Sequence, residues 1–254
     1  MAHKNFGECS KWSITPIAPD ILSYGYNPYW DAETQSLYLV DYLGNREQLF
    51  YRYDYAQNRL YSATLAGGLI NPTFALPMIG HNELAASNDK RIVVINWDGV
   101  SPTATTVRNI TAIEQNPIYA SNHLDIGGID PEGRLVTGTY RTVGCVRTSD
   151  VNGTVYVFRQ NGDIVPLIQN LDTVAGFAWN KRKKLFYFFD SCTYTIFEYK
   201  WSPETGEIRD PRPVYTFPAT KTYAILGMDI SCNGNLFVGL YLGFEVVEID
   251  PKYV

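Results

Sequence analysis

Few residues in this chain combine the type and the spacing that chemistry needs. His123 and Asp125 stand two apart in Asn122-His123-Leu124-Asp125-Ile126-Gly127, a segment that reads as extended chain, where residues i and i+2 share a face. An imidazole and a carboxylate on one face are candidate ligands for a divalent metal. Calcium, however, asks for roughly six to eight oxygens, so Asp125 and His123 alone make a sparse site, and a hydrogen-bonded pair is the competing reading. The other histidines, His3 and His81, fall in a terminal segment and a turn and are expected in solvent. Four cysteines, Cys9, Cys145, Cys192 and Cys232, lack the paired spacing of a structural zinc site. They are expected as reduced, buried thiols. No Ser/His/Asp or Cys/His arrangement supplies a nucleophile by spacing.

The elements that must position these residues come from a repeat. A turn rich in Gly, Asp and Asn, then a Leu opening an apolar strand, recurs as Ser36-Leu37-Tyr38-Leu39-Val40-Asp41, Arg134-Leu135-Val136-Thr137-Gly138, Lys184-Leu185-Phe186-Tyr187-Phe188-Phe189-Asp190 and Asn235-Leu236-Phe237-Val238-Gly239. A fainter copy is Glu83-Leu84-Ala85-Ala86. The leading leucines are 37, 84, 135, 185 and 236, in steps of 47, 51, 50 and 51. A short apolar segment precedes each strong copy and an alternating strand follows it, with no helical period. That pattern predicts an all-β chain of four-stranded propeller blades. Asp130-Pro131-Glu132-Gly133, Gln160-Asn161-Gly162-Asp163 and Ser202-Pro203-Glu204-Thr205-Gly206 supply the turn chemistry. In such a fold the segments before the leading strands converge on the axis. Tyr26 lies eleven residues before Leu37, while Asp125, Ala175 and Leu226 lie ten before Leu135, Leu185 and Leu236. These four are expected to face one another.

Composition sets the outer limits. Of 254 residues, 45% are hydrophobic and 19% charged, which suits a large buried core. A net charge of -5 argues against nucleic acid as partner, and the basic run Lys181-Arg182-Lys183-Lys184 reads as a solvated hairpin turn. No segment has the apolar length of a membrane span, and the N-terminal residues lack the apolar stretch of a signal peptide. A cytoplasmic protein that touches neither membrane nor nucleic acid is the expectation. The sequons Asn109-Ile110-Thr111 and Asn152-Gly153-Thr154 are accordingly expected to be unused.

Tyr24-Gly25-Tyr26-Asn27-Pro28-Tyr29-Trp30-Asp31 followed by Leu37-Tyr38-Leu39-Val40-Asp41 resembles the opening of the regucalcin, senescence marker protein, gluconolactonase and luciferin-regenerating enzyme family. Ile129-Asp130-Pro131-Glu132-Gly133-Arg134, Gly176-Phe177-Ala178-Trp179, Gly227-Met228 and Ile249-Asp250-Pro251 continue the resemblance in order, and Val93-Val94-Ile95-Asn96-Trp97-Asp98-Gly99 is similar to insect members. The resemblance implies a six-bladed propeller with one calcium or zinc ion in an axial tunnel and hydrolysis of sugar lactones. It also implies that the chain, as a single propeller domain over 1–254, carries about five blades, the last truncated, and lacks the family's C-terminal blade. An unclosed edge of that kind invites self-association; a fragment, a shortened isoform and an open propeller that dimerises all fit.

At the positions that the resemblance assigns to the metal ligands Glu, Asn-Asp, Asn and Asp, this chain has Tyr26, Asp125, Ala175 and Leu226. His123 stands for a substrate-contacting Arg and Val143 for an acidic contact. Ala and Leu have no atom that binds a metal. The expectation is a non-catalytic relative, a pseudoenzyme without cofactor, that takes an apolar or aromatic small molecule in the tunnel, with Tyr26, His123, Asp125 and Tyr140 as polar contacts. A tunnel filled by side chains, leaving an interaction platform, competes with it. So does a lactone hydrolase that retains calcium or zinc in an altered site.

Overall fold

A computed structural model describes residues 14–17, 22–42, 50–79, 82–141, 152–218 and 224–252. His3, Cys9, His81, Val143 and Cys145 lie outside them. The described residues contain no α-helix, only a short 3-10 turn at Pro117–Tyr119. Strands follow in five groups: β1 (Gly25–Asp31), β2 (Ser36–Asp41), β3 (Phe50–Asp54), β4 (Arg59–Leu65); β5 (Ala75–Pro77), β6 (Glu83–Asn88), β7 (Arg91–Asn96), β8 (Thr103–Ala112); β9 (Asn122–Ile129), β10 (Leu135–Arg141), β11 (Gly153–Phe158), β12 (Ile164–Leu171); β13 (Val174–Asn180), β14 (Leu185–Asp190), β15 (Thr195–Trp201), β16 (Ile208–Thr216); and β17 (Ala224–Ile230), β18 (Leu236–Tyr241), β19 (Glu245–Ile249). Each leading leucine opens, or is second in, the second strand of its group.

Within a group, pairing is antiparallel between successive strands. The first two groups join through a short parallel pairing of β4 with β8, Thr64 opposite Thr103 and Leu65 opposite Ala104, giving an eight-stranded sheet. The chain divides into two compact units, Ile17–Val174 and a second that takes Ala175–Val254. The first holds the eight-stranded sheet and the sheet β9–β12. Its core has one cluster around Phe50, Ala63, Val93, Ile95 and Trp97 and another around Phe74, Leu76, Ile92 and Leu124. The second unit buries Tyr187, Phe189, Ile196, Leu236 and Val238 together. Burying each such side chain stabilises by roughly 1.5–3 kcal/mol, which is why the apolar second strands recur.

Local chemistry fixes the joints. Asp41, which ends β2, accepts the backbone N–H of Ser23 at 2.9 Å and of Tyr24 at 2.7 Å, tying the entry of β1 to the exit of its partner. Asp130 accepts the N–H groups of Glu132 and Arg134 at 2.9 Å, and Gly133 takes the positive φ (+85°) that closes this turn. Lys181–Lys184 close the β13–β14 hairpin, Lys184 N–H donating to the Lys181 carbonyl at 3.3 Å, as the basic run predicts.

One expectation fails here. Cys192 and Cys232 are both disulfide-bonded, not reduced thiols, and no described cysteine is free. The expectation of reduced thiols rested on reading the chain as cytoplasmic, a compartment in which disulfides are rare.

Candidate functional site

The site is built on the strand that opens each group. β1, β9 and β17 each carry one extra residue against their partners: Tyr26 pairs with Val40 and Tyr29 with Tyr38, Leu124 with Thr139 and Gly127 with Thr137, Ile225 with Leu240 and Met228 with Val238. A bulge of this kind re-aims a side chain at the point where pairing breaks. Asp125 and Leu226 are the first residues of their bulges, whereas Tyr26 is the last paired residue before the bulge in β1, where Asn27 holds the corresponding place. The equivalence counted from the leucines is therefore a backbone equivalence for Asp125 and Leu226, and Tyr26 stands one residue earlier.

In the first unit, Tyr26 and Asp125 meet. The Tyr26 hydroxyl donates to Asp125 Oδ1 at 2.6 Å. Asp125 is 4% exposed, and its segment is held from behind. Thr73 Oγ1 donates to the Asp125 carbonyl and, at 3.2 Å, to that of Leu124, and it also shares a hydrogen bond with Ser87 Oγ at 3.0 Å. Two residues on, a Cβ at Gly127 would lie 2.6 Å from the Phe74 ring, so glycine alone lets β9 approach so closely. Gly127 N–H donates to Asn27 Oδ1 at 3.2 Å. Phe74 lies ten residues before Leu84 and is the second group's member of the series.

His123 shares a strand with Asp125 but takes a different partner, its Nδ1 lying 2.5 Å from Asp89 Oδ1. The ring stands 5.8 Å from that of Tyr140, which is opposite it on β10. Tyr140 and Tyr42 exchange a hydroxyl contact at 3.1 Å, and the Tyr42 ring lies 5.6 Å from that of Tyr26. Tyr24 stacks on Tyr26 at 5.9 Å. The four candidate contacts Tyr26, His123, Asp125 and Tyr140 thus fall in one continuous cluster, joined by Tyr24, Tyr42 and Asp89. The sequence reading missed these three. Tyr24 was within reach, being two residues before Tyr26 on the same extended face, and so was Tyr42, which follows the Asp that ends β2.

The electrostatics follow from burial. Burial in a low-dielectric site raises the Asp125 carboxyl to about 7, with the Tyr26 hydroxyl pulling it back by favouring the charged form. Burial, then the negative charge of Asp125, pushes the Tyr26 phenol well above its usual value. Tyr140 is raised chiefly by burial, and next by its bond to Tyr42. Near neutral pH Asp125 is therefore divided between its protonated and charged forms. Beside it, Asn27 Nδ2 is buried with no acceptor among the described residues.

Ala175 and Leu226 belong to the second unit. Ala175 is fully buried, in a cluster with Phe189, Val238 and Leu240, and Leu226 is half-buried. Neither side chain carries an atom that could ligate a cation. Of the four side chains only Asp125 offers a carboxylate, and its Oδ1 already accepts from the Tyr26 hydroxyl. The residues present do not fit the calcium or zinc centre that the resemblance implies. No group of three or more acidic, His or Cys side chains that could hold a metal occurs among the described residues.

Five strand groups of one design, three of them with a bulge in the opening strand, define a propeller of repeated β units. The profile of the family described as SMP-30/Gluconolactonase/LRE-like region matches residues 24–253, and the chain belongs to that family. Regucalcin of Gallus gallus is 23% identical over 244 residues, covering 96% of this chain and 77% of the relative. A solved luciferin-regenerating enzyme superposes with a TM-score of 0.80 at 28% identity, over 91% of this chain and 73% of that one. A calcium-binding regucalcin from Agrobacterium tumefaciens gives 0.71 at 15% identity, over 92% and 72%, a likeness of fold. No helix among the described residues is long and apolar enough to cross a membrane.

Proposed function

We propose that this chain is a non-catalytic member of its family that binds a small molecule at the tyrosine cluster around Asp125. The observation that carries the reading is the Tyr26–Asp125 hydrogen bond at 2.6 Å. It occupies the last carboxylate of the metal-ligand series with an internal donor, while the remaining positions are Ala175 and Leu226. The ring faces of Tyr24, Tyr26 and Tyr42 suit an apolar or aromatic ligand, and the unsatisfied Asn27 Nδ2 suits an acceptor oxygen on it. Titration calorimetry with Ca²⁺ and Zn²⁺, together with hydrolysis of glucono-lactone, tests the reading. No micromolar metal binding and no turnover are expected; metal binding with turnover refutes it.

A lactone hydrolase with a rearranged site is the second reading, and one observation favours it. A carboxyl held at about 7 is poised to take a proton from an attacking water. Turnover that requires Asp125 would establish it. The same proposal includes self-association through β19, which pairs only with β18 among the described residues. Phe244 (93% exposed) and Val246 (67%) lie along that edge.

A further inference from the structure

Two observations outside the tyrosine cluster bear on one another. Cys192 and Cys232 are disulfide-bonded, and disulfides persist in oxidising compartments while being rare in the cytosol. The chain also carries two Asn-x-Thr acceptor sequences, Asn109-Ile110-Thr111 and Asn152-Gly153-Thr154, whose modification takes place in the secretory route. We infer that the chain matures in an oxidising compartment and carries an N-linked oligosaccharide at Asn109, with Asn152 left bare.

The fold separates the two acceptors. Asn109 lies on β8 beyond Ala104, the last residue at which β8 pairs with β4, so β7 is its only described neighbour there. Residues Thr105 to Ile110 are exposed throughout. Pairing jumps from Val93–Asn109 to Ile92–Thr111, which leaves Ile110 as an extra residue that lifts the strand locally. A bulky oligosaccharide at Asn109 meets solvent. Asn152 is half-buried, its Nδ2 donates to the Ile118 carbonyl at 2.9 Å, and its Oδ1 is buried. A sugar on that nitrogen would have to pull the side chain out of its contact before the chain could fold as described.

The transfer needs a lipid-diphosphate-linked oligosaccharide. Asn109 Nδ2 attacks C1 of the first sugar, the C–N glycosidic bond forms as the C1–O bond to the lipid diphosphate breaks, and the amide proton passes to a base of the transferase. Charge and atoms balance with the lipid diphosphate as leaving group.

The test uses the protein purified from its natural source. Alkylation without reductant, followed by peptide mapping, reads the cysteines, and peptide N-glycosidase in heavy-oxygen water reads the asparagines. Expected are Cys192 and Cys232 peptides that alkylate only after reduction and a heavy deamidation label at Asn109 alone. In eukaryotic cells secreting the chain behind a cleavable leader, Asn109→Gln and Thr111→Ala each abolish the glycosidase-sensitive mass shift, and Asn152→Gln leaves it intact. An unmodified Asn109, a label at Asn152, or freely alkylated Cys192 and Cys232 in the natural protein overturns the inference.

Discussion

Replacing Asp125 by Asn tests the burial argument at the centre of the cluster. The carboxyl sits at about 7 in the folded chain against an ordinary 3.8, a separation of about three units, each corresponding to about 1.4 kcal/mol. Because the folded value is raised, the folded state binds the proton more tightly. The contribution of Asp125 to stability is fully present below about pH 4 and is lost as pH rises through about 7. Wild-type protein should therefore lose about 4 kcal/mol to this group between pH 4 and pH 8. In the Asp125→Asn variant the amide oxygen would still accept from the Tyr26 hydroxyl, and the side chain has no proton to lose, so this slope should be absent. Urea unfolding of both proteins at half-unit steps from pH 4.5 to 8 gives the difference directly. Parallel profiles, with no widening gap in favour of the variant as pH rises, would refute the claim that burial dominates this carboxyl.

Gly127→Ala forces a methyl against the Phe74 ring at 2.6 Å and should cost about 1–3 kcal/mol, with Phe74→Leu recovering part of it in the double variant; urea midpoints decide. Asp130→Ala removes the carboxylate 2.7 Å from Arg134 Nε and the acceptor of the Glu132 and Arg134 N–H groups, and should destabilise by about 1–3 kcal/mol, more than Asp210→Ala at the exposed Lys200–Asp210 pair. Light scattering after size exclusion should show a dimer that Val246→Lys with Phe244→Lys returns to monomer; a wild-type monomer at micromolar concentration removes β19 as an association edge.

What the sequence made legible was periodic. The leading leucines marked the second strand of every group because an apolar strand covered on both faces must be hydrophobic throughout, and that constraint recurs wherever the unit does. The short β5 (Ala75–Pro77) and the small residues of β6 explain why the second copy was faint. At the site, counting back ten residues reaches Asp125 and Leu226 because the bulge falls at one place in the opening strands, while Tyr26, eleven back, stands just before the bulge of β1. His123 was harder: i and i+2 geometry put it beside Asp125, but its partner, Asp89, comes from the β6–β7 turn, and no local pattern announces a contact 34 residues away. The disulfide-bonded state of Cys192 and Cys232 was hidden too, since nothing in the local sequence of either announces a partner.

The cluster also shows that a bulge does not depend on the side chain it presents. An extra residue in β1, β9 and β17 is a backbone property, held by Thr73 under β9 and by the positive φ of Asn27 (+50°) and Gly227 (+85°) in the other two. None of these devices depends on which side chain the bulge presents. The side chains at and beside the bulges can therefore differ, as Asp125, Leu226 and Tyr26 do, without disturbing the strand, provided they satisfy one another. Tyr26 does so by donating to Asp125, which would otherwise be a buried carboxyl without a donor on Oδ1. On this argument Tyr26→Glu alone would not restore a cation site. It would place a second carboxyl beside one already at about 7, and like charges at such a distance raise both.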